Sequence, residues 1–235
     1  MPVLLKQIIP LGRTLREYEL MFALTEADRT KKILGCGDGP ASFNAEWTAR
    51  GGSVISIDPI YEFSGAQIKE RFDAVINDII ADVEATQDRW VWEFQQTPQG
   101  LRQNRVAAMD RFLADYEAGK RAGRYQVAEL PTLPFQDGAF DLALCSHLLL
   151  LYSHLLSLDF HVQAVQELCR VAQEVRVFPL LDLVGNKSEH LDPLRIALEQ
   201  EGIETVIEQV PYEFQQGGNQ MLRAVRNYET AGQIT

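Results

Sequence analysis

Gly35, Gly37 and Gly39 stand at alternate positions in the stretch ILGCGDGPASF, and an acid, Asp58, follows 19 positions after the last of them, at the end of SVISID. A glycine inside a strand or helix weakens it by roughly 0.5–1 kcal/mol relative to alanine, so three together need a backbone reason: a positive φ or the close approach of a ligand. The chemistry that fits is recognition of a nucleotide. An apolar strand, a glycine turn, a helix and a second strand ending in a carboxylate lay out a cradle whose acid accepts hydrogen bonds from ribose hydroxyls. The expected ligand therefore contains ribose.

A second set of residues could move protons. His147, His154 and His161 recur every seven positions. His147 closes the apolar run AFDLALCSH and no carboxylate joins the three in a recognised metal spacing, so no metal site is expected. His154 and His161 read as solvated residues on a helix face. His147 falls at the carboxyl end of a buried strand beside the expected ligand. There it either accepts a proton from a substrate near neutral pH or serves as a structural histidine bonded to backbone. Tyr152, after LLLL, and Tyr18 are further candidates for the same work.

These residues need a scaffold, and hydrophobic periodicity supplies one. Leu15, Tyr18, Leu20, Met21 and Leu24 have helical spacing within residues 12–30, ahead of a first strand KKILGCG. ASFNAEWTARG reads as a helix and SVISID as the second strand. YQVAEL (125–130) reads as the third strand, yet 66 residues separate Asp58 from Tyr125, about twice a whole βαβ unit. The excess predicts a helical cap over 75–124 beside the site, with a break at Pro98 and Gly100. Trp90, Trp92 and Phe94 within it suit either a pocket wall or the core of the cap. Residues 101–125 carry six basic side chains against three acids, which reads as an anionic-substrate patch or, more simply, a solvated and paired helix face.

AFDLALCSH suits a strand covered on both faces. A helix near 157–173, a strand EVRVFPLLD, a helix near 191–201 and the strands ETVIEQVPYEF and GNQMLRAVR complete the chain. The last two lie too close together for a parallel crossover and should pair antiparallel. The expected fold is α/β: a Rossmann-like three-layer sandwich with a seven-stranded, mostly parallel sheet, an antiparallel last strand and a helical insertion, in one domain spanning 1–235.

With 235 residues, 46% of them hydrophobic, the chain can bury a full core. Its formal net charge of −11 disfavours nucleic acid and anionic membrane as partners and favours a small molecule. The three scattered cysteines, Cys36, Cys145 and Cys169, suit a reducing compartment. The start MPVLLKQIIPLGR lacks a secretory core, and no 18 apolar residues occur in series, so a soluble cytoplasmic protein is expected.

From about Lys31 to Arg226 the chain resembles the class I S-adenosylmethionine-dependent methyltransferases, of the type 11-like kind. LGCGDG resembles the family's first glycine motif, SIDP the end of its second strand, and AELPTLPFQDGAFDLALCSH its stretch GDAxxLPFxDxxFDLVxxxH. The resemblance implies S-adenosylmethionine as cofactor and a small-molecule methyl acceptor. It implies that the loop Gly35, Cys36, Gly37 and Gly39 approaches the methionine part, and that Asp58, followed by Pro59, holds the ribose. Glu129 and the Leu130 amide would read the adenine edge, with Ile60 and Leu130 sandwiching the ring.

Three departures stand out. Glu129 replaces the family's common aspartate, and the glycine-rich turn before the fifth strand is missing from AQEVRVF. The acid two positions before the first glycine, which helps to anchor the methionine amino group, is Ile33 here. Carbonyl oxygens near Gly35 or Cys145, or a polar side chain such as Glu19, would have to replace it. Two other readings stay open. A nicotinamide-dependent oxidoreductase uses a similar cradle, although GxGxxG counted from Gly35 would need glycine where Pro40 stands. A non-catalytic cofactor-binding protein of the same fold would account for Ile33.

Overall fold

The computed structural model describes residues 9–226, so most of the opening segment read for a secretory core lies outside the described residues. Its centre is a sheet of seven strands: β1 (Lys32–Cys36), β2 (Ser53–Ile57), β3 (Tyr125–Gln126), β4 (Phe140–Ser146), β5 (Ala172–Phe178), β6 (Ile203–Gln209) and β7 (Gln220–Arg226). Their order is β3-β2-β1-β4-β5-β7-β6. The first five run parallel, and β7 enters between β5 and β6, antiparallel to both. This is the Rossmann-like sandwich expected from the alternation of strand and helix patterns. The third strand is shorter than expected: only two residues of YQVAEL pair, after which the chain turns through a bridge between Glu129 and Thr132.

Among the described residues there are six α-helices, α1 (Leu15–Met21), α2 (Phe43–Ala49), α3 (Gly65–Ala85), α4 (Pro98–Arg121), α5 (Leu158–Val171) and α6 (Leu191–Gln200), all but α3 flanking the sheet. Successive side chains on a strand point to opposite faces, and the two cores follow that rule. Leu34, Cys36, Ala143 and Cys145 join the core under α5 and α6, whereas Ile33, Leu142 and Leu144 join the one under α1 and α2. Ile33 is therefore a core residue of the α1 side, completely buried.

The long connection after β2 is helical. Ser64 and Gln67 form a reciprocal capping box that starts α3, and Thr97 caps α4 with Pro98 in its first turn. Pro98 and Gly100, expected as a break, thus mark a helix start. Helix α4 packs on α2 and β3, as a crossover helix in a βαβ unit does, while α3 packs on α4. Tyr61, Phe112, Tyr116 and Tyr125 meet in an aromatic cluster beneath both. Most of the basic residues of 101–125 have partners, including Arg124 with Asp115 and Arg105 with Glu17. His161 is a correction: it lies fully buried, its Nδ1 2.7 Å from the Ser157 carbonyl and its ring against His190, because the inner face of α5 presses it onto the sheet side. Among the described residues no helix is long and apolar enough to cross a membrane.

Candidate functional site

In an open parallel sheet the ligand crevice lies outside the carboxyl ends of the strands, where strand order reverses. Here that point is between β1 and β4, and a cavity of about 1190 Å³ opens there. Cys36, Gly37, Asp38 and Gly39 line it from β1, Asp58, Pro59 and Ile60 from β2, Glu129 and Leu130 from the turn after β3, and His147 and Tyr152 from beyond β4. Gly35 and Cys145 are buried behind that wall.

The glycines answer to two different needs. Gly37 and Gly39 have φ of +67° and +53°, a region that L side chains rarely adopt. Gly35 is constrained by space instead. A Cβ there would lie 1.9 Å from Asp38 Oδ2, so the missing side chain makes room for a carboxylate of the protein itself.

Asp58 is welded to this loop. Its Oδ2 accepts the Gly39 amide at 2.9 Å and its Oδ1 the Ile60 amide at 2.8 Å, while the Tyr61 hydroxyl donates to the Gly39 carbonyl at 2.7 Å. Each carboxylate oxygen has a second lone pair to offer a hydroxyl. Burial raises its pKa above the usual carboxylate value despite the two amide bonds. Glu129, by contrast, is exposed at the cavity, and Leu130 is buried.

Two charged residues that the sequence reading passed over complete the polar half. Asp38 is buried and accepts bonds from the hydroxyls of Tyr18 (2.7 Å) and Ser56, with no cation in ion-pair range among the described residues. Burial, with a contribution from the Asp58 charge, pushes its pKa up to about 6. Arg13 lines the same cavity. One Nη donates to the Leu11 carbonyl at 2.9 Å, its Nε is covered without a partner, and no carboxylate pairs with it among the described residues. Burial and the neighbouring Arg105 lower its pKa. Asp38 carried a signal, an acid between two glycines of the loop; Arg13 carried none, because its neighbours Arg105 and Tyr212 come from remote parts of the chain.

Beside Arg13 lies a charged pair that is complete. Arg105 clamps Glu17 with bonds of 2.7 and 2.8 Å, and Tyr212, Gln95 and Thr14 satisfy the remaining Glu17 lone pairs. The Glu17 pKa falls to about 2, since Arg105, Arg13 and the Thr14 amide together outweigh its burial.

His147 has φ of +52° and donates its backbone amide to the Phe178 carbonyl at 2.6 Å. Its Nδ1 lies 2.9 Å from Ser146 Oγ. Burial, then Arg13 and Arg105, hold its pKa well below the ordinary histidine value, so the ring is neutral at neutral pH. Tyr152 is buried with its hydroxyl accepting the Ile9 amide at 3.3 Å, and burial raises its pKa. Tyr18 is committed to Asp38. The three histidines do not gather, since His154 sits in an exposed turn and His161 lies under α5.

The rest of the cavity is mostly apolar, with the half-buried Arg89 and the exposed Glu62, Arg71 and Asp82 also at its wall. Val75, Ile76, Ile79, Ile80 and Val83 of α3 line it, with Phe160, Leu156, Trp90 and Phe214. Trp90 stacks on Phe214 at 4.8 Å and lines the cavity with it, whereas Trp92 meets the edge of Phe214 and Phe94 packs on Tyr212 in the core of the α1 side.

No protein-family model matches the chain. In outline it is similar to magnesium protoporphyrin IX methyltransferase (ChlM) from Synechocystis PCC 6803 with bound SAM, at 12% identity over 84% of this chain and 71% of that one, TM-score 0.44. A TehB-like SAM-dependent methyltransferase from Corynebacterium glutamicum is similar at 13% identity over 94% and 89% of the two chains, TM-score 0.46. In sequence it is 32% identical over 219 residues, 93% of this chain and 96% of the other, to the uncharacterized protein MJ0045 of Methanocaldococcus jannaschii. With that identity over almost the whole of both chains, the chain belongs to the family of this archaeal protein.

Proposed function

We propose that the chain is an S-adenosylmethionine-dependent methyltransferase that acts on a small or medium-sized molecule held in the cavity. The observation that carries this reading is the meeting, at one topological switch point, of a positive-φ glycine loop, a ribose-competent Asp58 and two charged groups of opposite sign, buried Asp38 and half-buried Arg13, that have no ion-pair partner among the described residues. A methionine end is a zwitterion and needs both charges. Its carboxylate suits Arg13, whose covered Nε has a bond to give, and its ammonium suits Asp38. Asp38 lies over Gly35, on the same sheet face as Ile33, and so brings an acid next to the position where the usual one is missing. Asp58 takes the ribose, Ile60 and Leu130 the adenine faces, and Glu129 the adenine edge.

When bound, the cofactor supplies a methyl group on a sulfonium, activated enough for direct displacement by a nucleophile. The chain then has to align the acceptor with that methyl group and exclude water, and it needs no nucleophile of its own. His147, which lines the cavity beyond β4, is the candidate to accept the proton of a hydroxyl acceptor. Within the stretch 75–124 the end of α3 closes the cavity as a cap, while α4 serves as the crossover to β3. The free, buried cysteines suit a cytoplasmic location.

Calorimetry on ligand-stripped protein with S-adenosylmethionine, S-adenosylhomocysteine and NAD, and with Asp58→Ala as control, tests the reading. Micromolar binding of the first two, lost in the variant, is expected. Preference for NAD, or binding of none, would overturn it.

A further inference from the structure

The polar half of the cavity accounts for a cofactor, and the apolar half is left for the acceptor. We infer, resting on the methyltransferase reading above, that the acceptor is an elongated apolar molecule of about 10 Å, a chain or fused ring system with one nucleophilic polar end. Its body lies along α3 and its reacting end lies at His147 and Tyr152.

Helix α3 supports this through its spacing. Ile76, Ile79, Ile80 and Val83 recur at three- and four-residue intervals, so they form one stripe, and all four line the cavity. From Ile76 to Val83 the helix rises roughly 10 Å, which sets the length of the wall. Phe160 and Leu156, at the start of α5, and the stacked Trp90 and Phe214 line the same space.

No charged side chain interrupts the stripe. Asp82 and Arg71 on α3, and Glu62 before it, are exposed, and the Arg71 guanidinium lies 3.7 Å over the Phe63 ring, so these charges belong to the cavity mouth. Arg89, half-buried beyond the end of α3, is turned to the Leu183 carbonyl and lies 5.7 Å from the Trp90 ring, so it borders the apolar wall at one end. The cavity is also larger than the roughly 300–1,000 Å³ usual for one drug-sized ligand, as a site for two molecules should be. An apolar wall of this kind recognises its ligand by area removed from water, so affinity should track the length of the apolar body up to the length of the wall.

The test uses the full chain and the uncharged fluorophore N-phenyl-1-naphthylamine, displaced by straight-chain alcohols from butanol to dodecanol. The probe should bind with a blue shift, and alcohol affinity should rise about fourfold per methylene until the chain outruns the wall, then level off. Ile79→Asp should weaken the probe at least tenfold and leave S-adenosylmethionine affinity within twofold. Phe160→Ser, on a different helix, should do the same. The cofactor arm of each variant also reports whether it has folded. Probe binding that ignores both variants, an affinity independent of alcohol length, or absence of probe binding beside intact cofactor binding would overturn the inference. Probe binding without cofactor binding would instead leave the apolar site standing and remove the methyltransferase reading, and with it the role of acceptor.

Discussion

Two carboxylates lie buried within reach of α1, and they have been treated in opposite ways. Glu17 is met by a bidentate arginine and by neutral donors, and its pKa falls to about 2. Asp38 is met only by two hydroxyls, and its pKa climbs to about 6. The arginines mirror them: Arg105 is clamped and pushed upward, whereas Arg13 is lowered and has an unfilled donor. A buried charge is tolerated when it is paired and bonded, and is costly when it is not. The Glu17–Arg105 pair therefore holds α1 to α4 as structure. Arg13 and Asp38 have no ion-pair partner among the described residues, and both line the cavity.

Breaking the complete pair should have the largest effect. Glu17→Gln leaves the Arg105 charge buried and unanswered, and unfolding in urea at pH 7 should show a loss of about 3–5 kcal/mol.

The pH dependence should separate the two acids by sign. Asp38 binds its proton more tightly folded than unfolded, so its contribution is highest at low pH and declines by about 3 kcal/mol as pH rises from about 4 to about 6. Asp58, also raised, adds to the same limb. Glu17 works the other way: its stabilisation is present above about 4.5 and disappears as pH falls through about 2. In Asp38→Asn the first limb should flatten and the second remain, as urea midpoints measured from about pH 2 to about pH 8 would reveal.

Arg13 sharpens the contrast with Arg105. Arg13→Gln should alter stability by less than about 1 kcal/mol yet weaken S-adenosylmethionine by tenfold or more, since a charge-assisted bond is worth about 1.5–3 kcal/mol. A large stability loss with unchanged affinity would make Arg13 a structural residue like its neighbour. The smallest effect belongs to Glu129→Gln, where exposure to water limits the change in cofactor affinity to about threefold.

The elements that local chemistry controls were legible in advance. Gly37 and Gly39 required positive φ, Asp58 closed a β-branched run, and the apolar run ending at Cys145 marked a doubly covered strand. The short gap before the last strand required an antiparallel return, which β7 makes. Gly35 was legible only as a glycine: its reason is the carboxylate that folds back over it. The third strand was read four residues too long, because the apolar alternation of YQVAEL continues past the point where pairing to β2 stops.

Periodicity, turn chemistry and spacing along the chain thus determined the sheet, its helices and the glycine loop that meets Asp58, because each depends on residues a few positions apart. Only the tertiary structure decided which charges are paired. Glu17 and Arg105 are 88 residues apart, Tyr212 arrives from 195 residues beyond Glu17, and the walls of the apolar cavity come from α3, α5 and the segment before β7. Burial and counter-ion are properties of that assembled neighbourhood, so the same residue types, an arginine and an acid, became a structural clamp at one place and two separate cavity-lining groups at another.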